Sequence, residues 1–315
     1  MANATAARGW IGRFRQSLVD QLEAAGGRHD ESSIYGGEPG DPGLGGGLGS
    51  ISWEINGDLG SLVVGGTGAI LMEVLHPSVM AGVFTQSSYR TDPLRRARNT
   101  LGYVLRTTFG STPGATRVIE AVKNIHARIE GARADGVAYR ALDPELIAWV
   151  HTCIPWAVMS AYDRYVRPLS VEEKDRYLRE QAVIGRMGGA VWVPESVDEL
   201  AAYVERMRPL MAFTEQTRSF LDFLTGTTDD FDVPRREQLD RWVGIRASMS
   251  LLPEWAQRLT GTHVPHALQR LWLQPTDRLK GALVRWAMPE LPCKQLAIAR
   301  ASGGRAEARP APVAA

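Results

Sequence analysis

Helix-start signals recur along this chain, with almost nothing that reads as a strand, and this pattern restricts the fold more than any other feature. Asp92-Pro93, Thr112-Pro113 and Asp143-Pro144 each put a capping side chain before a proline. At the first helical position proline has no intrahelical hydrogen bond to lose. Ser170-Val-Glu-Glu173 offers the reciprocal capping pair. Behind each signal, apolar residues recur at helical spacing. Helices are therefore expected over 93–108, over 112–131 with Gly131 as the stop, from Asp143-Pro144 with a kink at Pro155, and from Ser170. Others are expected over 68–75, ended by Pro77, and over 196–207, 214–224, 236–252, 253–259 and 266–286, the last broken by Pro275. The best period-two run is only Val191-Trp-Val193. The expected fold is all-α, with one large helical domain over residues 51–300.

The two ends read differently. Residues 8–24 carry Trp10, Ile11, Phe14, Leu18 and Leu22 at helical spacing, and 25–50 form a Gly/Pro-rich loop, so 1–50 is an N-terminal helix plus a loop that is mobile or wraps the domain. The tail over 301–315 is expected to be disordered. The glycine-rich strings contain no GxxxxGK[ST], and GGTG at 65–68 does not complete GxGxxG, so no phosphate cradle is expected. A net charge of +1 gives no global field toward nucleic acid. Cys153 and Cys293 belong to no CxxC pair and are expected to be reduced core thiols. Met1 to Glu23 lacks an apolar signal region, and no apolar run is long enough for a spanning helix. The expected location is cytoplasmic.

Two candidate chemical features remain. His126 follows Val118, Ile119, Val122 and Ile125 on one helix, so its imidazole projects from or beside an apolar stripe. That pattern suits a proximal haem ligand. It equally suits a core histidine satisfied by a carbonyl. Arg96, Thr100 and Tyr103 form a stripe at i, i+4 and i+7 on the preceding helix, beside Leu94, Leu101, Val104 and Leu105. There an arginine can bind a carboxylate such as a propionate and a threonine can hydrogen-bond dioxygen, or the stripe is simply surface.

The strings LHPSVMAGVFTQSSYRTDPLRRARNT, FGSTPGATRVIEAVKNIHARIEG and YRALDPELIAWVHTCIPWAVMSAY resemble, in that order, the rubber-oxygenase catalytic-domain family. That family includes latex-clearing proteins and the oxygenase of mycophenolic acid biosynthesis. The resemblance covers about residues 52–210, with a vaguer helical continuation to about 290. It implies a globin-like helical core, haem b with its iron on His126, Arg96 and Thr100 lining the haem site, and dioxygen used on an apolar, unsaturated small molecule, by oxygen insertion or C=C cleavage. Where rubber-cleaving members carry a lysine just before the threonine, this chain has Asn99, and from Pro77 to Thr91 it has no acidic residue to match their catalytic glutamate; Glu73 is the nearest earlier one. Rubber cleavage itself is therefore not expected. His76 and His151 fit the family pattern without a metal role, His76 as a cap or brace beside Pro77 and His151 as a satisfied core histidine.

Other classes leave different traces. A non-haem di-iron oxygenase would use Glu73-Val-Leu-His76 as a Glu-x-x-His element, but needs a second such element, and His263-x-x-His266 flanks Pro265. A haem or apolar-ligand binding protein without turnover, such as a dioxygen sensor, would keep His126 and lack a product. A helical scaffold would retain no haem.

Overall fold

The computed structural model describes residues 32–86, 92–225 and 243–303, together with Gln16. The expected helix over 8–24, apart from Gln16, lies outside the described residues, as do the tail from 304 and the first part of the expected helix over 236–252. Ten helices carry the argument. They are α1 (Ser32–Tyr35), α2 (Ile51–Ile55), α3 (Leu59–Glu73), α4 (Pro77–Gln86), α5 (Pro93–Phe109), α6 (Thr112–His126), α7 (Pro144–Tyr165), α8 (Val171–Gly188), α9 (Val197–Met207) and α10 (Glu215–Thr225). The chain continues through helix α11 over 243–249, α12 (Glu254–Thr260), the composite α13 over 266–287 and α14 (Pro292–Ala301). The described part is all-α except for one hairpin, β1 (Glu130–Ala132) antiparallel to β2 (Ala138–Arg140).

The capping signals at Asp92, Asp143 and Ser170 act as read, whereas the helix expected behind a Thr112 cap is capped one residue earlier, by Ser111. Asp92 accepts from the Arg95 N–H, Ser111 from Gly114 and Asp143 from Glu145, and Ser170 with Glu173 forms the full capping box.

The centre is the α3–α7 pair. Gly65 has no side chain, and a Cβ there would meet the Val158 Cα at 2.6 Å. Ala157 and Ala161 on α7 are wholly buried. The GGTG string is thus a set of small residues that lets two backbones approach. Trp149 and Cys153, two and one turns before Ala157, pack with Met72 and Leu75 in the largest core cluster. A second cluster joins α2, α5, α7 and α8 through Ile55, Val104, Val158 and Tyr177. Inside it, the Tyr177 hydroxyl donates to Asn56 Oδ1 at 2.8 Å and Asn56 Nδ2 to Thr108 Oγ1 at 2.8 Å, so the buried polar atoms are paired.

The Gly/Pro-rich loop wraps the domain. Asp41 accepts from the Thr112 N–H and hydroxyl at 2.7 and 2.6 Å, and Arg300 on α14 donates to the carbonyls of Asp41 and Phe109. Gly43 holds φ +69° there, with the Gly110 carbonyl where a Cβ would sit.

Several expectations need correction. The helix expected from 68 begins at Leu59 behind an Asp58 cap. α6 ends at His126, not at Gly131, because the hairpin takes over from Glu130. Pro275 does not break α13; a π-helical stretch, Gln269–Leu273, precedes it and takes up the change in hydrogen-bond register. Val191-Trp-Val193 forms no strand.

No single helix among the described residues is long and apolar enough to cross a membrane; α3 and α4 together pass by composition but bend by 110°.

Gly65 and its neighbour give a paired test. Gly65→Ala should cost about 1–3 kcal/mol, because the added methyl meets backbone. Gly66→Ala, with nothing within 4 Å of its Cβ, should be neutral or stabilising by up to about 1 kcal/mol. Thermal unfolding of both variants reads the difference, and equal effects would remove the close approach as the reason for the glycine.

Candidate functional site

The 110° turn after α3 leaves Glu73 as the last residue of a buried helix, 7% exposed, with its carbonyl accepting from Trp149 Nε1 at 3.4 Å. Its carboxyl makes no hydrogen bond among the described residues. Burial pushes its pKa up to about 7, with the Arg96 guanidinium pulling the other way. Arg96 lies in the first turns of α5 and is half-buried. Its guanidinium makes no hydrogen bond or ion pair among the described residues, yet its charge acts on both Glu73 and His126. Coulombic influence falls with distance, so Arg96 lies near enough to act on Glu73 and on His126.

His126 ends α6, half-buried, and its ring also makes no hydrogen bond among the described residues. Burial first, and the Arg96 charge second, lower its pKa, so the imidazole is neutral at physiological pH. Thr100 is half-buried one turn from Arg96 and donates its hydroxyl to the Arg96 carbonyl at 3.3 Å. Tyr103 completes the stripe, and burial raises its pKa to about 12. The stripe is therefore half-buried rather than surface. Asn99 is exposed on another face of α5, so it does not share the position of Thr100.

The other histidines have structural partners. His76 Nδ1 accepts from the Ser78 N–H at 3.2 Å, capping α4 across Pro77; burial and the Arg133 charge lower its pKa to about 4. His151 Nε2 pairs with the Gln181 carbonyl at 2.9 Å, and its pKa is also lowered to about 4 by burial. Among the described residues no three His, Cys, Asp or Glu side chains come together as a metal site. That argues against the di-iron arrangement, whose Glu73-x-x-His76 has its histidine already committed. Neither cysteine is in a disulfide, and Cys153 is buried, its thiol pKa raised by burial and by Glu73.

Residues 53–290 match the family described as ER-bound oxygenase mpaB/B'/Rubber oxygenase, catalytic domain. The chain belongs to this family. Two curated relatives of this oxygenase chain, the uncharacterized proteins Rv2237 of Mycobacterium tuberculosis and Mb2261 of Mycobacterium bovis, are each 26% identical over 196 residues, spanning 60% of this chain and 68% of theirs. No solved structure matches it at a comparable level.

Sequence reasoning named Arg96, Thr100 and His126 as candidates, and Glu73 only as the nearest acid to an unmatched catalytic glutamate and as part of the di-iron alternative. The available signal was an acidic residue closing an apolar helix, Gly68-Ala-Ile-Leu-Met-Glu73. An isolated acid there has to be buried or solvated at a helix end, and sequence does not say which.

Glu73 gives a signed pH prediction. Its carboxyl is protonated both folded and unfolded below its ordinary value of 4.5, and ionising it inside the folded protein becomes costly as pH rises toward about 7. Its contribution to stability should therefore fall across that window, by roughly 3 kcal/mol at 1.36 kcal/mol per unit. His76 and His151 act oppositely between about 4 and 6.5. Comparison with Glu73→Gln cancels them. Denaturant melts of the haem-free protein should show the variant gaining stability over the parent as pH rises from 4.5 to above 7, and a pH-independent difference would contradict the burial assignment.

Proposed function

We propose that this oxygenase-family chain is haem b-dependent, with His126 as the protein ligand to iron, dioxygen as co-substrate and an apolar, unsaturated small molecule as substrate. The observation that carries the reading is the trio of Glu73, Arg96 and His126, one buried and two half-buried polar groups linked by the Arg96 charge, whose side chains make no hydrogen bonds among the described residues. Native proteins rarely leave such groups unpaired. The trio suits haem part by part. A neutral imidazole is an iron ligand, and an unpaired guanidinium matches a propionate. A lone protein ligand also suits a metal whose other positions a porphyrin fills.

When bound, haem supplies the activation of dioxygen. The chain's own residues do the rest. Burial and Arg96 keep His126 neutral, the ligating form. Arg96 anchors a carboxylate and fixes the orientation of what it holds. Thr100 presents a hydroxyl whose only partner among the described residues is a 3.3 Å bond to its own helix, so it can turn to another acceptor. Glu73, with its pKa pushed to about 7, holds a proton it can release near neutrality. Ile70, one turn before Glu73, gives the neighbourhood an apolar wall that suits an apolar substrate. The globin-like arrangement of the core and the cytoplasmic location belong to this proposal.

His126→Ala should lose haem or move its Soret band to that of a site without imidazole. His76→Ala and His151→Ala should keep the band in place while costing about 1 kcal/mol of stability, because each removes one structural hydrogen bond. Arg96→Ala should weaken haem retention by about 1.5–3 kcal/mol, the worth of a charged hydrogen bond. Thr100→Val should leave occupancy intact and alter autoxidation or turnover. An unaltered spectrum in His126→Ala sinks the ligand assignment.

A further inference from the structure

The interface of α7 with α8 holds a small cavity that the catalytic reading does not use. Its polar lining is His151 and Thr152 from α7 and Gln181 from α8, and Pro155, Leu178 and Ala182 are among its apolar walls. It offers about 10 Å³ of room to a water-sized sphere. On that scale a site of roughly 10–15 Å³ holds one water. An organic ligand does not fit.

Three hydrogen-bonding groups border the cavity with a bond still to make. The first is a hydroxyl. Thr152 is 3% exposed, and its Oγ1 makes no hydrogen bond among the described residues. A helical hydroxyl commonly turns back to the carbonyl four residues earlier. Ser160 does so on the same helix, donating to Trp156 at 2.7 Å, and Thr152 does not. The second group is a carbonyl. Pro155 lies inside α7 and has no N–H, so the His151 carbonyl is without its usual intrahelical donor. His151 and Pro155 share one face of the helix at i and i+4, and both line the cavity, so this carbonyl lies along its wall. The third is the His151 ring. Nε2 stands 2.9 Å from the Gln181 carbonyl, which can only accept, so Nε2 carries the proton. Burial keeps the ring neutral at physiological pH, and Nδ1 is left as an acceptor.

We infer that one internal water binds in this cavity, accepting from the Thr152 hydroxyl and donating to the His151 carbonyl that Pro155 leaves without a donor. Its second proton is directed to His151 Nδ1, which gives it the three bonds usual for a buried water. A larger group has no room, and a dry site would leave the hydroxyl desolvated without compensation. The water stands in for the helical bond that proline removes. Ala157 and Val158, which meet Gly65, follow within one turn of Pro155. The water thus braces α7 where its closest backbone contact begins.

The test needs no haem and no turnover, so it is independent of the catalytic reading. In a crystal structure of the full chain that resolves ordered solvent, one water should lie within about 3.2 Å of both Thr152 Oγ1 and the His151 carbonyl oxygen. Absence of that density, with Thr152 Oγ1 turned onto the Ala148 carbonyl or not, overturns the inference. Thr152→Val keeps the side-chain shape and removes the hydroxyl; it should lose the water and lower the unfolding midpoint by a few degrees. Thr152→Ser should keep the water. Pro155→Ala gives the His151 carbonyl a donor of its own, so Thr152→Val should cost less in that background than in the parent. Strict additivity of the two changes would show that Thr152 and the carbonyl share no bridge, and would overturn it as well.

Discussion

The backbone of α3 lies directly against that of α7, and Gly65 makes this possible. A Cβ at that position would meet Val158 Cα at 2.6 Å, closer than any packed side chain allows. Everything nearby is positioned from that approach. It sets α3 deep enough that Met72 and Leu75 join Trp149 and Cys153 in the main core cluster. It also carries the end of α3 inward, so the chain has to turn through 110° to leave. The turn leaves Glu73 buried with its carbonyl bonded to Trp149 and gives His76 the cap of the next helix.

The site follows from what the scaffold does not satisfy. In the helical core many buried polar groups are paired, Tyr177 with Asn56, Asn56 with Thr108 and His151 with Gln181, although Thr152 Oγ1 and Trp255 Nε1 are buried without a hydrogen bond among the described residues. Around Arg96, a buried carboxyl and a half-buried guanidinium and imidazole also make no side-chain hydrogen bonds among the described residues, and the Arg96 charge acts on both of the others. Leaving buried polar groups unmade costs about 1–3 kcal/mol each, so a fold carries such a cluster where another group supplies the missing partners. The α5–α6 junction fixes the relative placement of Arg96 and His126, since Gly110 and Ser111 join the two helices with no slack.

The helical class was legible because its signals are local. Asp92, Asp143 and Ser170 cap where their sequences say, and such signals need no tertiary knowledge. Arg96, Thr100 and His126 were also visible, through their spacing and through the family resemblance. What escaped depends on neighbours. The β1–β2 hairpin is three residues a side, too short for periodicity, although Asp135-Gly136 marks its turn, with Gly136 at φ +84°. Pro275 read as a break because proline lacks an N–H, but a π-helical stretch ahead of it re-registers the helix, which continues to Ala287. The pairing of Gly65 with Val158 joins positions far apart in sequence, and only the structure shows it.

The central claim is that the cluster of Glu73, Arg96 and His126 is completed by a haem. The most direct measurement is the absorption spectrum of the full chain purified from cells supplied with iron, oxidised, reduced, and reduced under carbon monoxide. The account predicts an intense Soret band that shifts on reduction and shifts again with carbon monoxide to the position typical of an imidazole-ligated haem. A colourless protein that takes up no haem when it is added, or a carbon monoxide band typical of thiolate ligation, would contradict it.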